Sequence, residues 1–158
     1  MRETVAFGRE PYTDLTGKPT KNDVEIIEKS IEKSGISHLT EKRMNEISGG
    51  ERQTAYLSMM LAQDADILLL DEPTTYMDAP NAREFMRILS SERDRGKAVV
   101  AVMHDLTGAV EYADNVILID GGRLVFAGTK EECLAKKVIE NIMKVESHMI
   151  VDGRTVFI

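Results

Sequence analysis

Apolar positions recur along the chain in two patterns, and the change between them sets the expected elements. Val24, Ile27 and Ile31 fall at helical spacing behind Thr20, which forms a capping box with Asp23, and Gly35 stops that helix. Before it, Thr4-Val5-Ala6-Phe7-Gly8-Arg9 reads as the end of a helix, with Gly8 near its stop. Pro11, Gly17 and Pro19 then break regular structure. A short link through Leu39 and Met44 reaches Ile47. Ser48 and Glu51 make a further capping pair, predicting a helix to about Gln63 with Ala55, Met59 and Ala62 on one side. Ile67-Leu68-Leu69-Leu70 and Ala98-Val99-Val100-Ala101-Val102-Met103 are continuous apolar runs. Such runs predict strands covered on both faces, hence a parallel sheet.

Asp78 opens a helix between these strands, with Ala82, Phe85, Met86 and Leu89 inside it, and Gly96 ends the link that follows. A short helix is expected around Leu106 to Tyr112. Val116 to Ile119 and Leu124 to Ala127 flank Asp120-Gly121-Gly122, a hairpin pattern. Thr129 and Glu132 form another capping box. Met149-Ile150-Val151, Asp152-Gly153 and Thr155-Val156-Phe157-Ile158 predict a closing hairpin. Helix alternating with buried strand argues an α/β fold, helical over residues 1–64 and sheet-based over 65–158.

Bulk properties narrow the function. The 158 residues suffice for one cored domain and are few for two. The net charge of −7 supplies no field for nonspecific nucleic-acid binding. Cys133 is the only cysteine, so no internal disulfide forms, which is consistent with a reducing compartment. No leader-like segment stands at the start, and the Ile67–Leu70 run is too short to cross a bilayer, so any membrane role is expected to go through a partner. The methionines, Cys133, His38, His148 and the Lys130-Glu131-Glu132 run have ordinary readings as filler, packing or solvated surface.

Three short stretches carry candidate chemistry. Asp71-Glu72 ends the first apolar strand, where open α/β sheets place ligands. Asp71 there can hold magnesium, and Glu72 can polarise a water for in-line attack on phosphorus. Two solvated acids at a strand end are the bland alternative; the four aliphatic residues before them and Pro73-Thr74 after them favour function. Ser48-Gly49-Gly50-Glu51 places helix-start amides, free of side chains, where they can meet an anion. A plain helix start is the alternative there, as capping alone is for Asp78. His104 follows the second strand and can bond a terminal phosphate oxygen or orient the water. No Gly-x-x-x-x-Gly-Lys-[Ser/Thr] loop occurs in the chain.

Taken together, these residues resemble the nucleotide-binding subunit of ATP-binding cassette (ABC) transporters. Ser48-Gly49-Gly50-Glu51-Arg52-Gln53 resembles the signature motif, with Ile47 where leucine is usual. Ile67 to Glu72 resembles the Walker B strand, and His104 the switch histidine. Thr75-Tyr76-Met77-Asp78 resembles the D-loop, with Tyr76-Met77 in place of Ala-Leu. Val5 to Tyr12 and the Asp152-Gly153 hairpin look most like subunits powering import of iron-siderophore or cobalamin compounds.

The resemblance implies a partial ABC ATPase domain: a helical subdomain, then a mostly parallel sheet with flanking helices and a C-terminal hairpin. ATP and Mg2+ are the implied cofactors. Asp71 would serve the metal, Glu72 would be the base and His104 would sense the γ-phosphate. Ser48, Gly49, Gly50 and Glu51 would close on the ATP of a second, identical subunit, with Asp78 at that interface. The implied partners are that subunit and integral membrane permeases, with no nucleic acid. The place is the cytoplasmic, inner face of the membrane, reached only through the permease.

The resemblance also implies that the Walker A loop, the adenine-stacking aromatic and the glutamine loop would lie before Met1. The chain alone is then expected to bind ATP poorly, to hydrolyse none, and to oligomerise, swap strands or repack an exposed edge. The alternatives are a non-enzymatic interaction fragment and a soluble ABC ATPase not linked to transport.

Overall fold

The computed structural model describes residues 1–13, 18–150 and 154–158. Gly17 and the Asp152-Gly153 turn lie outside the described residues. The chain divides into two compact units, Met1–Val102 and Met103–Ile158. The division expected at residue 64 falls inside the first.

In the first unit, α1 (Arg2–Ala6) runs into a 3-10 turn over Phe7–Tyr12. Helix α2 (Lys21–Lys33) opens on the expected box, in which the Thr20 hydroxyl accepts from the Asp23 amide and the Asp23 carboxylate accepts from the Thr20 amide. Helix α3 (Gly49–Gln63) opens the same way on Ser48 and Glu51. Val5, Ile27, Ile31, Leu39, Ala55 and Ala62 share one apolar core among these helices.

Gly8 stands near the end of a helix as expected, one residue past the Phe7 cap of α1. It lies within the 3-10 turn, backed against α3, where an added Cβ would stand 2.2 Å from the Met59 carbonyl oxygen. Pro11 lies in the same turn, so it does not break it. Beside them, buried Arg9 donates from Nε to Asp23 Oδ1 at 2.9 Å and from Nη1 to the Ala62 carbonyl at 2.9 Å. Its guanidinium stacks 3.8 Å from the Tyr12 ring centroid.

Strand β1 (Ile67–Asp71), helix α4 (Ala79–Asp94) and strand β2 (Ala98–Val102) form a β-α-β unit. The strands pair in parallel, from Ile67 opposite Ala98 to Asp71 opposite Val102. Their coverage departs from expectation. Leu68 is buried, but Ile67, Leu69, Val100 and Val102 are 59, 72, 51 and 57% exposed. Side chains alternate across a sheet, so Leu68 and Leu70 share one face with Val99 and Ala101, while the other face is bare. The apolar runs marked strands correctly but could not report whether both faces are covered. Among the described residues this is also the only parallel pair, so the mostly parallel sheet reduces to two strands.

The second unit opens with α5 (Leu106–Tyr112), whose Thr107 amide donates to the Asp105 carboxylate. Strands β3 (Asn115–Asp120) and β4 (Arg123–Thr129) form the expected hairpin. Gly121 and Gly122 turn it at φ 54° and 74°, the doubly left-handed geometry such tight turns require. Helices α6 (Lys130–Ala135) and α7 (Val138–Met143) follow, α6 on its predicted Thr129–Glu132 box. Strands β5 (Ser147–Met149) and β6 (Thr155–Phe157) pair antiparallel. Among the described residues no helix is long and apolar enough to cross a membrane.

Val110, Cys133 and Ile139 form the core of this unit. Burial pushes the Cys133 thiol above its ordinary value, and the nearby Glu140 charge adds to that. Cys133 is therefore expected to resist a disulfide-exchange reagent in the native chain and to react at once in urea. Rapid native labelling, followed by absorbance, would contradict this packing.

Four carboxyls of the first unit are held below their ordinary range. Hydrogen bonds from Thr20 and then Arg9 lower Asp23. Hydrogen bonds from Ser48 lower Glu51, and those from Arg87 lower Glu84. Burial pushes Glu92 up, but hydrogen bonds from Lys33 and Lys97 outweigh it. A lowered carboxyl stabilises the fold at pH above its unfolded value, and that stabilisation is lost as pH falls through the folded one. Melting temperature is therefore expected to hold between pH 7 and 5 and to drop below the ordinary values of 3.8 for Asp and 4.5 for Glu. A melting series flat down to pH 3 would refute the pairing.

Candidate functional site

The first unit contains a cleft of about 410 Å³. The start of α3 forms one side, with Ser48, Gly49, Gly50 and Glu51. The loop after β1 forms another, with Tyr76, Met77 and Asp78. Five of the sequence-predicted residues thus share one hollow. Gly49 and Gly50 allow the approach: a Cβ on Gly49 would lie 3.1 Å from Tyr76 Cβ, and one on Gly50 3.1 Å from the Tyr76 carbonyl oxygen.

Capping occupies several of these polar groups. Ser48 Oγ accepts from the Glu51 amide at 3.2 Å, and Glu51 Oε2 accepts from the Ser48 amide at 2.7 Å. Asp78 Oδ1 accepts from the Asn81 amide at 2.9 Å, starting α4 ahead of Pro80. The amides of Gly49 and Gly50 occupy the first turn of a 15-residue helix, where no intrahelical acceptor exists. Those amides and the helix dipole make this corner suited to an anion.

Asp71 and Glu72 stand at the exit of β1. Asp71 is exposed and borders a smaller hollow of about 200 Å³ with Gln53, Tyr56, Leu69 and Pro73. Glu72 donates its amide to the Val102 carbonyl at 2.9 Å, so the parallel ladder continues one bond past β1. Its φ is 46°, in the left-handed region that side chains rarely adopt. Such backbone strain clusters at functional positions. The Thr75 hydroxyl donates to Glu72 Oε2 at 3.1 Å, and Tyr76, the next residue, enters the cleft. One short loop therefore carries Glu72 at its root and Asp78 at its far end.

Magnesium suits this donor set. Among the described residues no group of three or more His, Cys, Asp or Glu converges on a metal position. A single exposed carboxylate such as Asp71 matches an ion that keeps its waters and takes further oxygens from phosphate. His104 is exposed and follows β2, in the second unit.

Sequence reasoning passed over Tyr76 as a mere departure, yet it is the side chain against Gly49 and is 74% exposed. It also missed Lys33 and Glu92. The visible cue was an acid at position 92 continuing the Phe85, Ile88, Leu89 stripe of α4.

The α/β scaffold, with its helical cluster and parallel β-α-β unit, fits a partial domain of the P-loop NTPase-like class. The sequence profile of the ABC transporter family matches residues 2–75. The ferric enterobactin transport ATP-binding protein FepC of Escherichia coli is 37% identical over 153 residues, which cover 96% of this chain and 56% of that protein. The iron(3+)-hydroxamate import ATP-binding protein FhuC of Bacillus subtilis is 30% identical, over 98% of this chain and 58% of that protein. A metal-chelate type ABC transporter in an inward-facing conformation superposes with a TM-score of 0.86 at 20% identity, over 99% of this chain and 64% of that one.

The chain is similar to ATP-binding subunits of the ABC transporter family along nearly its whole length. It spans little more than half the length of these two relatives.

Proposed function

We propose that these residues supply the water-activating and lid-closing portion of an ATPase that energises import of an iron-siderophore or related iron compound. The observation that carries this reading is the single loop joining Glu72 to the cleft of Ser48–Glu51 and Asp78. Glu72 accepts a proton from the attacking water. Asp71 anchors the metal side of the nucleotide. Ser48 Oγ and the Gly49 and Gly50 amides close on the γ-phosphate held by a second copy, and Asp78 lies at that interface. His104 bonds the same phosphate. Mg2+, when bound, neutralises charge on the phosphate oxygens.

Relatives named for siderophore and hydroxamate transport support the import direction and the iron class. On this reading the partners are membrane permeases, the place is the cytoplasmic face of the membrane, and no nucleic acid takes part. A hybrid tests the proposal, in which these residues replace the matching stretch of the Escherichia coli ferric enterobactin subunit. It is expected to turn over ATP and restore uptake in cells lacking the native subunit. A folded, expressed hybrid without turnover would overturn it.

A second reading, an interaction piece that pairs with an intact subunit or docks on a permease, is favoured by the lack of a Gly-x-x-x-x-Gly-Lys-[Ser/Thr] loop in these 158 residues. On either reading the isolated chain binds ATP weakly and hydrolyses none. Micromolar affinity by calorimetry would sink that expectation.

A further inference from the structure

The cleft is also lined by the end of α2 and the middle of α4. Ser34 and Gly35 follow α2, while Glu84, Phe85 and Ile88 belong to α4. One residue before Ser34, Lys33 Nζ donates to Glu92 Oε1 at 2.5 Å. Glu92 lies one turn beyond Ile88 and is 1% exposed. Its carboxylate also meets Arg95 Nη1 at 3.0 Å and Lys97 Nζ at 3.2 Å. Lys97 in turn donates to Asp64 Oδ1 at 2.6 Å, and Asp64 is the left-handed residue that closes α3.

One buried carboxylate therefore ties the end of α2, the end of α4 and the approach to β2, and reaches the end of α3 through Lys97. A buried ion pair adds little stability over an apolar pair of equal size, yet breaking it by removing one partner is costly. Its distinctive contribution is geometric. Helix α3 is a stiff rod about 22 Å long, so a shift at its held C-terminus is carried to its glycine-led start.

We propose that Glu92 is a positioning residue: its clamp by Lys33 and Lys97 sets the width of the cleft shared by Ser48–Glu51 and Tyr76–Asp78. Its consequence for lid closure rests on the function proposed above, but the cleft geometry does not. Apart from its hydrogen bonds and ion pairs, Glu92 sits far along α4 from Asp78, the cap that starts that helix.

Amide hydrogen exchange on the full chain, without nucleotide, tests this. Glu92→Gln and Lys33→Met are expected to speed exchange in Arg52–Thr54 and Met77–Ala82 about tenfold, with Ile27–Ile31 unchanged. Lys33→Arg is expected to restore the native rates. Uniform acceleration through the unit would reduce Glu92 to a plain stabilising group and overturn the proposal, as would unchanged rates at both cleft segments. If Glu92→Gln does not fold, Lys33→Met carries the test, because the Lys33 side chain is one-third exposed. Loss of turnover in the hybrid with native exchange rates would sink the functional reading and leave this one standing.

Discussion

Replacing Glu72 with glutamine is expected to lower ATP turnover of the hybrid by about 10²–10⁴-fold while ATP affinity stays within a few-fold. Glutamine keeps the shape of the side chain, and its amide oxygen can still accept the Thr75 hydroxyl, now at 3.1 Å from Glu72 Oε2. It cannot accept a proton from water. The left-handed φ of 46° and the amide bond to the Val102 carbonyl are backbone properties and survive the change. The loss therefore reports the carboxylate, not the loop. Steady-state phosphate release measures the rate, and nucleotide titration measures affinity. Turnover reduced less than about tenfold would remove Glu72 from the role of base.

The second large effect concerns stability. Gly8→Ala is expected to destabilise the chain by about 3 kcal/mol, at the upper end for an overpacked site. The added methyl would meet the Met59 carbonyl at 2.2 Å and the Gln63 amide nitrogen at 3.0 Å. Both are backbone atoms of α3, so no side-chain rotation relieves the contact. The 3-10 turn must lift off the helix, taking with it the neighbouring Arg9–Asp23 pair. Gly35→Ala is the control. It has open space around it and φ 74°, so it should cost only the left-handed penalty of about 1–2 kcal/mol. Urea unfolding compares them, and equal midpoints would contradict the packing argument.

These two glycines show what the sequence could and could not report. Local chemistry was legible. Thr20–Asp23, Ser48–Glu51 and Thr129–Glu132 form reciprocal caps because their hydrogen bonds span only three residues. Asp120-Gly121-Gly122 turns the hairpin because left-handed backbone is a property of those residues themselves. The same locality explains why α3 ends at Gln63 as expected.

What depends on distant chain was not legible. Gly8 was legible as standing near the end of α1, but its close packing on the Met59 carbonyl, 51 positions away, was not. Ile67 and Leu69 looked covered because an apolar run carries no record of what packs on it. In the candidate site, sequence order grouped Ser48–Glu51 and separately marked Asp78. That they share a hollow followed only from the fold. Lys33 and Glu92 are 59 positions apart, and nothing local pairs them.

The bare side of β1 and β2 has a colloidal consequence. Four large aliphatic side chains face outward beside a two-stranded ladder, on a molecule with a net charge of −7. Mutual repulsion keeps copies apart when the Debye length is long, about 30 Å at 0.01 M salt. At about 1 M it shrinks to about 3 Å, and the aliphatic surfaces can meet. Added electrolyte should therefore make a solution of this chain scatter more light, the reverse of what charge-driven clustering would do.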